Sequence, residues 1–262
     1  MLNASVFSAP TLFLKSFNIV IRNISMTPKQ RDVLALTFFV IALIVLNYGW
    51  LDDVLNNFLT GSETVHIDRI IDGDTVESNS TSIRLLGINA PERGEYLYDG
   101  AKEFLEDKIL NQTVYLKYGK ERYDKYNRIL AYIFLNNTNI NIKLVENGYA
   151  NYYFYGGKDE YSNELLGAWE TCMENKINLC EPSNSVCFSC ISININTIIN
   201  NCNFECDING WEIKGEGRNK FIFNKTLSSN QETDFELDLA DSGGSLFLRD
   251  EEGLLVFWEE SN

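Results

Sequence analysis

Three short polar clusters contain the residues whose types could perform chemistry together. They are Asp72-Gly73-Asp74-Thr75-Val76, a stretch from Arg84 to Glu92 (RLLGINAPE), and Asp124-Lys125-Tyr126-Asn127-Arg128. Carboxylates supply the oxygen ligands that calcium and magnesium prefer. The planar guanidinium of arginine fits two phosphate oxygens at once. Each cluster alone is a weak signal, but in this order along one chain they predict metal-assisted phosphodiester hydrolysis.

Composition limits the mechanisms that are open to this chain. Its 262 residues are 45% apolar, which favours folded domains, and the formal net charge is −15. Proteins that bind nucleic acid by neutralising phosphates usually have a basic face, so the overall charge by itself disfavours that function. The single histidine, His66, excludes a histidine-rich metal site, and we interpret it as a strand-surface residue. Carboxylates, arginines and tyrosines must therefore perform the chemistry.

The elements that must position these clusters are short and mixed in type. Alternating apolar residues and turn signals predict strands over 64–71, 75–77, 82–87, 113–118 and 129–134. Apolar residues at spacings of three and four predict helices over 101–110, 142–147 and 163–175. This order favours an α+β fold in which a small barrel has helices on one side.

The three clusters resemble the staphylococcal thermonuclease family. Its pattern of DGDT, then R-L-L-x-[IV]-[DN]-x-P-E, then D-K-Y-[GN]-R-x-L-A-Y is met within residues 63–182. The resemblance implies an OB-type five-stranded β-barrel with three helices, and it implies a calcium-dependent nuclease that acts on DNA or RNA.

The same resemblance implies a role for each matching polar residue. Arg84 and Arg128 would hold the scissile phosphate, and Glu92 would orient or deprotonate the attacking water. Lys125 and Tyr126 match positions at the terminal phosphate of the bound nucleotide. The resemblance thus divides these residues into three catalytic and two substrate-binding side chains.

The resemblance also implies a calcium site made of oxygen ligands. Asp74, Asn89 and the backbone carbonyl of Ala90 would ligate the ion, and Asp72 would lie near it through water. The best-known members have aspartate at the position of Asn89. An amide keeps an oxygen ligand but removes one negative charge, so we expect weaker calcium binding.

A second departure concerns a base-contacting tyrosine that the family pattern places after Gly148. Alignment without gaps puts Phe154 at that position, with tyrosines on either side, at positions 152, 153 and 155. The alternatives stay open at this point, and packing against the last helix is an equally good interpretation of the run.

Residues 33–51 form a nearly uninterrupted apolar run without charge, close to the ~20 residues that cross a bilayer as a helix. Basic residues precede the run, and Asp52 and Asp53 follow it. Because positive residues stay on the cytoplasmic side, we expect a single-pass anchor with a cytoplasmic segment over 1–32. A stalk over 52–62 would then hold the catalytic domain outside the cell.

All six cysteines follow this apolar run, which favours disulfides in an oxidising compartment. A zinc site is the alternative, because Cys187-x2-Cys190 and Cys202-x3-Cys206 have approximately the spacing of four thiolate ligands. Six cysteines allow fifteen pairings, so the sequence leaves the connectivity open.

A second domain is expected after a polar linker over 183–187. Within residues 188–260, the motifs GWEI, GGSLFLRD and DEEGLLV resemble the lamin-tail domain, which has an immunoglobulin-like β-sandwich fold. This resemblance implies a binding or tethering module without catalytic residues of its own, and the sequence does not identify its ligand.

Two other functions compete with a nuclease. Asp72 to Val76 also fits the D-x-D-x-[TV] motif of haloacid dehalogenase-type phosphatases, but the chain lacks the downstream Asp-Asp pair of that family. A nuclease fold that has lost activity and serves as a scaffold is the other alternative. Such domains typically lose the Arg–Glu–Arg set, which is present here as Arg84, Glu92 and Arg128.

Overall fold

A computed structural model describes residues 27–46, 62–154, 157–194, 196–237 and 244–259. The chain divides into two compact units, Met1–Thr60 and Gly61–Asn262. In the first unit, helix α1 spans Pro28–Leu46. The remainder of the predicted membrane segment, over 47–51, and the expected stalk up to residue 61 lie outside the described residues. No helix in the described part of the chain combines the length and apolar character needed to span a membrane.

The second unit begins with a curled sheet. Its strands and one short pair beside it are β1 (Ser62–His66), β2 (Arg69–Ile70), β3 (Thr75–Ser78), β4 (Thr81–Leu85), β5 (Ile88–Asn89), β6 (Thr113–Tyr123), β7 (Ile129–Leu135), β8 (Thr138–Asn139) and β9 (Asn151–Tyr152). The sheet order is β1-β6-β7-β4-β3-β2, β8 pairs with β7, and β5 pairs with β9. This is the predicted OB-type architecture as a half-barrel, although the expected strand over 64–71 is divided into β1 and β2, which pair with different neighbours.

Three helices pack with this sheet, as predicted. Helix α2 (Tyr98–Ile109) buries Ala101, Leu105 and Ile109, which are spaced four residues apart and so share one face. Helix α3 (Ile140–Glu146) is capped by the Asn139 side chain, and α4 spans Ser162–Asn175. The apolar faces of these helices complete one core with the sheet.

The C-terminal part consists of short strands after a 3-10 turn at Asn178–Cys180. They are β10 (Ile191–Asn194), β11 (Thr197–Asn200), β12 (Cys206–Asp207), β13 (Glu212–Lys214), β14 (Lys220–Ile222), β15 (Thr226–Leu227), β16 (Glu232–Asp234), β17 (Leu246–Arg249) and β18 (Leu255–Glu259). They form sheets of order β10-β11-β16, β12-β15 and β14-β13-β17-β18. The expectation of β structure is confirmed, and the lamin-tail resemblance stays a prediction.

The two parts of the second unit share apolar contacts. Phe247 and Leu255, from β17 and β18, belong to the core of the curled sheet. Trp169 of α4 lies edge-on to Phe247, with ring centroids 5.2 Å apart. The Ser183 amide also donates to the carbonyl of Leu255. The C-terminal strands are therefore packed directly against the part of the chain that contains the polar clusters.

Disulfides pair all six cysteines, which confirms that prediction and supplies the connectivity. The bonds are Cys172–Cys180, Cys187–Cys206 and Cys190–Cys202. The first closes the end of α4 onto the 3-10 turn, and the other two lie in the core of the C-terminal part. The thiolates that a zinc site would need are thus bonded to one another.

The fold also decides against the phosphatase alternative. The Asp72–Val76 turn leads into β3, which pairs antiparallel with β4 as a tight hairpin. A haloacid dehalogenase-type phosphatase would need a βα unit of a doubly wound sheet at this position.

Candidate active site

The turn before β3 places the two aspartates of the first cluster close to helix α2. A side chain at Gly73 would put its Cβ 2.6 Å from the Cβ of Ala101 and 2.7 Å from the Cβ of Ala90. Only glycine allows this approach. The close packing brings Asp72 and Asp74 next to the segment that contains Asn89 and Ala90.

Asp74 is the centre of a buried polar network. Its Oδ2 accepts from Arg84 Nη2 at 3.0 Å and from the Ala90 amide at 3.2 Å, and its Oδ1 accepts from Thr75 Oγ1 at 2.9 Å. Only 4% of Asp74 is exposed. The structure therefore brings the predicted metal ligand Asp74 together with the predicted phosphate-binding Arg84.

Arg84 is held in place by backbone carbonyls as well as by Asp74. Its Nη1 donates to the carbonyl of Leu85 and its Nη2 to the carbonyl of Ile88, and the residue is buried. The register of β4 sets this position, because Arg84 is opposite Thr75 of β3. A guanidinium fixed in this way is preorganised to meet a charged group.

Arg128 reaches the same network through Thr75. Its Nη1 lies 3.5 Å from Thr75 Oγ1, at the outer limit of a hydrogen bond. Its Nε donates to Asp124 Oδ2 at 2.7 Å, and Asp124 Oδ1 accepts from the backbone amides of Tyr126 and Arg128. Burial of Asp124 tends to raise its pKa, but the hydrogen bonds from Arg128 outweigh burial and lower the pKa below its ordinary value. Asp124 therefore fixes the direction in which Arg128 points.

The pKa of Asp72 is affected by the negative charge of this network. Burial and the nearby Asp74 carboxylate raise the pKa of Asp72 above its ordinary value. Its Oδ1 accepts from the Asp74 backbone amide at 3.1 Å. Two carboxylates placed this close together favour a bound cation, which would relieve their repulsion.

Asn89 and Ala90 lie beside the two aspartates. Asn89 is paired with Asn151 across β5 and β9 and is 3% exposed. Its Nδ2 donates to the carbonyl of Gly217, which leaves Oδ1 as the atom that can ligate a metal. Gly217 belongs to the C-terminal part of the chain.

The donors at this site fit a hard divalent cation. Asp72, Asp74, Asn89 and the Ala90 carbonyl supply oxygen atoms alone, which is the ligand type of calcium and magnesium. In the described part of the chain, one group of three potential metal-ligating side chains lies close together, and it consists of cysteines. These cysteines are in disulfide bonds.

Glu92 lies in the turn between β5 and α2 and contacts the C-terminal part. Its Oε1 is 2.7 Å from Arg218 Nε. Its backbone amide donates to Glu95 Oε2, which also accepts from Lys214 Nζ, while Glu95 Oε1 accepts from Lys220 Nζ. Burial tends to raise the pKa of Glu95. The Lys220 hydrogen bond and the charge of Lys214 outweigh this effect and lower the pKa to about 2.

The predicted substrate contacts are at the surface. Lys125 and Tyr126 are both exposed, and the Tyr126 ring lies 5.5 Å from the Arg128 guanidinium. In the tyrosine run, Tyr152 is fully buried and Phe154 almost so, which favours the packing interpretation for both. Tyr155 lies outside the described residues, and Tyr153 is half-buried near Gly217. His66 is exposed on β1, as expected.

Sequence reasoning missed four residues that support this site. Thr75 and Asp124 were noted within the motifs but were not given a role. Glu95 and Arg218 were not singled out at all. An acid four residues before Arg128 was a usable signal for Asp124, whereas no local signal connects Arg218 to Glu92.

Comparison with family models finds a match over the central part of the chain. The model described as staphylococcal nuclease homologue matches residues 82–181. The match includes the segment from Arg84 to Glu92 and also Arg128, and it ends before the C-terminal strands.

Individual relatives give a consistent result. The thermonuclease of Staphylococcus intermedius is 31% identical over 129 residues, which covers 45% of this chain and 77% of that protein. An uncharacterized protein of Methanocaldococcus jannaschii is 34% identical over 149 residues, covering 45% and 71%. The micrococcal nuclease of Shigella flexneri is 32% identical over 124 residues, covering 38% and 70%.

Proposed function

The chain belongs to the family of staphylococcal nuclease homologues, and on that premise we propose that it is a calcium-dependent nuclease that hydrolyses phosphodiester bonds of DNA or RNA. The observation that carries the proposal is the convergence of Arg84 and Arg128 on one carboxylate network. Arg84 contacts Asp74 directly, and Arg128 approaches Thr75, which itself donates to Asp74. Two guanidinium groups beside a set of oxygen ligands for a metal can together stabilise the charge that develops during phosphodiester hydrolysis.

Each residue of the site has a separate task in this proposal. Glu92 accepts a hydrogen bond from the attacking water and orients it, or takes its proton. Arg84 and Arg128 bind the phosphate oxygens and stabilise the negative charge that grows on them as the water attacks. The fixed direction of both guanidinium groups means that little reorganisation is needed during the reaction.

Asp74, Asn89 and the Ala90 carbonyl would hold the calcium ion, with Asp72 close by. When bound, the ion supplies positive charge that polarises the phosphate and offsets its repulsion by the carboxylates. This contribution matters more here than in a basic enzyme, because the net charge of −15 gives no general attraction for nucleic acid. Lys125 and Tyr126 would contact the nucleotide at the exposed edge of the site.

The catalytic domain is proposed to act outside the cytosol. Three disulfides support this, since such bonds form and persist in oxidising compartments. We further propose, from the sequence of residues 33–51, a single-pass anchor with a cytoplasmic N-terminus. Protease added to intact cells should remove the region beyond residue 62, and full protection of that region would reject this placement.

The C-terminal strands are proposed to form a lamin-tail-like module that binds or tethers. The resemblance of motifs such as GWEI supports this, and its acidic balance argues against DNA as the ligand. Binding of duplex DNA by this module at physiological salt would contradict the proposal.

Incubation of the full-length chain with single- and double-stranded DNA and RNA, in calcium or in excess chelator, tests the proposed activity. We expect cleavage in calcium and none in chelator. Intact substrates under every condition would favour the inactive scaffold alternative.

A further inference from the structure

We propose that the C-terminal hairpin completes the active site, with Arg218 as a positioning residue for Glu92. The hairpin consists of β13, β14 and the turn 215–219 between them. Arg218 Nε lies 2.7 Å from Glu92 Oε1. This inference rests on the proposed nuclease function and deepens it, because it assigns part of the site to a domain that the sequence presented as a separate module.

The turn that contains Arg218 is firmly attached to the curled-sheet domain. Glu216 is buried, and its carboxylate accepts from the Phe154 amide at 2.8 Å and from the Ser245 amide at 3.0 Å. The neighbouring Gly217 carbonyl accepts from Asn89 Nδ2 at 3.1 Å. Breaking the hydrogen bonds of a buried carboxylate costs free energy. The backbone at Arg218, two residues after Glu216, is therefore held in a fixed position.

The hairpin also holds the backbone of the turn that contains Glu92 through hydrogen bonds. Lys214 and Lys220, at facing positions of the two strands, both donate to the Glu95 carboxylate. Glu95 in turn accepts from the Glu92 amide at 2.9 Å. The hairpin therefore holds both the backbone and the side chain of Glu92.

The Arg218–Glu92 pair is partly open to solvent, so its loss should leave the fold intact. The two side chains are 59% and 41% exposed, and ion pairs this open to solvent contribute little to folding. A long carboxylate side chain, however, samples several rotamers unless a partner selects one. The bond from Arg218 occupies Oε1 and leaves Oε2 to hold the attacking water.

A matched pair of variants in the full-length chain tests this role. Arg218→Ala should lower kcat by about 3- to 5-fold, the rate equivalent of losing a partly exposed ion pair that orients a reacting group, while KM stays nearly unchanged. Arg218→Lys should recover part of kcat, since lysine keeps the charge but loses the guanidinium fork. Arg69→Ala is the control, because Arg69 forms an equally short pair with Glu77 and is 63% exposed.

A double-mutant cycle separates positioning from a purely structural role. In the Glu92→Gln background, Arg218→Ala should have almost no further effect on kcat, because the two residues act as a unit. Unchanged kcat in Arg218→Ala, or effects of the two substitutions that multiply independently, would overturn the inference while leaving the nuclease proposal intact. An inactive wild-type chain would overturn both.

Discussion

Arg84 and Asp74 form a buried ion pair, with Arg84 Nη2 3.0 Å from Asp74 Oδ2. The proposed phosphate-binding group and the proposed metal ligand therefore contact each other directly. The backbone carbonyls of Leu85 and Ile88 hold the guanidinium in the same position. This arrangement links binding of phosphate to binding of the metal.

Removal of either guanidinium should slow hydrolysis strongly. We expect Arg84→Ala and Arg128→Ala each to lower kcat by about 10²-fold or more, the usual effect of losing one preorganised electrostatic contact. Steady-state cleavage of a labelled oligonucleotide measures this, and circular dichroism checks that each variant is folded. Full activity in both variants would show that the mechanism is assigned wrongly.

The Asp124 carboxylate should matter only through Arg128. Asp124→Asn keeps an oxygen for the turn amides but loses the charged bond to Arg128 Nε, so we expect about a 10-fold loss of kcat. Asp107→Asn is the matched control, because Asp107 pairs with Lys108 at an exposed position of α2. Equal activity of the two variants would show that Asp124 does not support catalysis through Arg128.

Calcium titrations should reveal Asn89 as a ligand. Asn89→Asp adds a negative charge and should lower the calcium concentration for half-maximal activity, whereas Asn89→Leu should raise it sharply. The calcium concentration for half-maximal activity of the wild type should lie in the range of ~10⁻⁴–10⁻³ M, as in extracellular calcium sites. Identical midpoints in all three proteins would mean that residue 89 does not contact the metal.

The same Asn89→Asp substitution should weaken attachment of the hairpin. Aspartate cannot donate to the Gly217 carbonyl as Asn89 does. We expect a loss of about 1–3 kcal/mol in the free energy of unfolding without calcium, since a buried carbonyl loses its partner. Chemical denaturation in chelator measures it, and an unchanged midpoint would contradict this contact.

Glu95 should make stability depend on pH in the acid range. Its pKa is about 2 in the folded chain against an ordinary 4.5, so its contribution is present above about pH 4.5 and is lost as pH falls towards 2. Glu95→Gln should lower Tm at pH 7 by about 2–4 °C, equivalent to about 1 kcal/mol. The difference from wild type should shrink between pH 4.5 and 2, and a difference independent of pH would exclude the ion pairs with Lys214 and Lys220 as its cause.

Local sequence patterns predicted the helices and several strands of the part of the chain that contains the three clusters. Turn residues such as Gly73 and the spacing of Ala101, Leu105 and Ile109 act within a few residues, so the three helices and the turn that leads into β3 were predictable. Of the predicted site residues, Arg84 contacts Asp74 directly, and Arg128 reaches it through Thr75.

Contacts between distant segments were not predictable in the same way. Asn89 and Gly217 are 128 residues apart in the sequence, and no periodicity or motif relates them. The disulfide connectivity was open for the same reason, since spacing alone leaves fifteen pairings. The packing of Phe247 in β17 against Trp169 in α4 likewise arises only from the tertiary fold.

The proposed phosphodiester hydrolysis depends on three catalytic residues, Arg84, Glu92 and Arg128. Single-turnover cleavage of a labelled oligonucleotide by wild type and by Glu92→Gln, in calcium and with substrate binding measured in parallel, tests it most directly. We predict calcium-dependent cleavage by wild type and at least about a 10²-fold slower rate in Glu92→Gln, with similar binding. Equal cleavage rates for the two proteins would show that Glu92 is not catalytic, and binding without cleavage by wild type would show that the chain is not a nuclease.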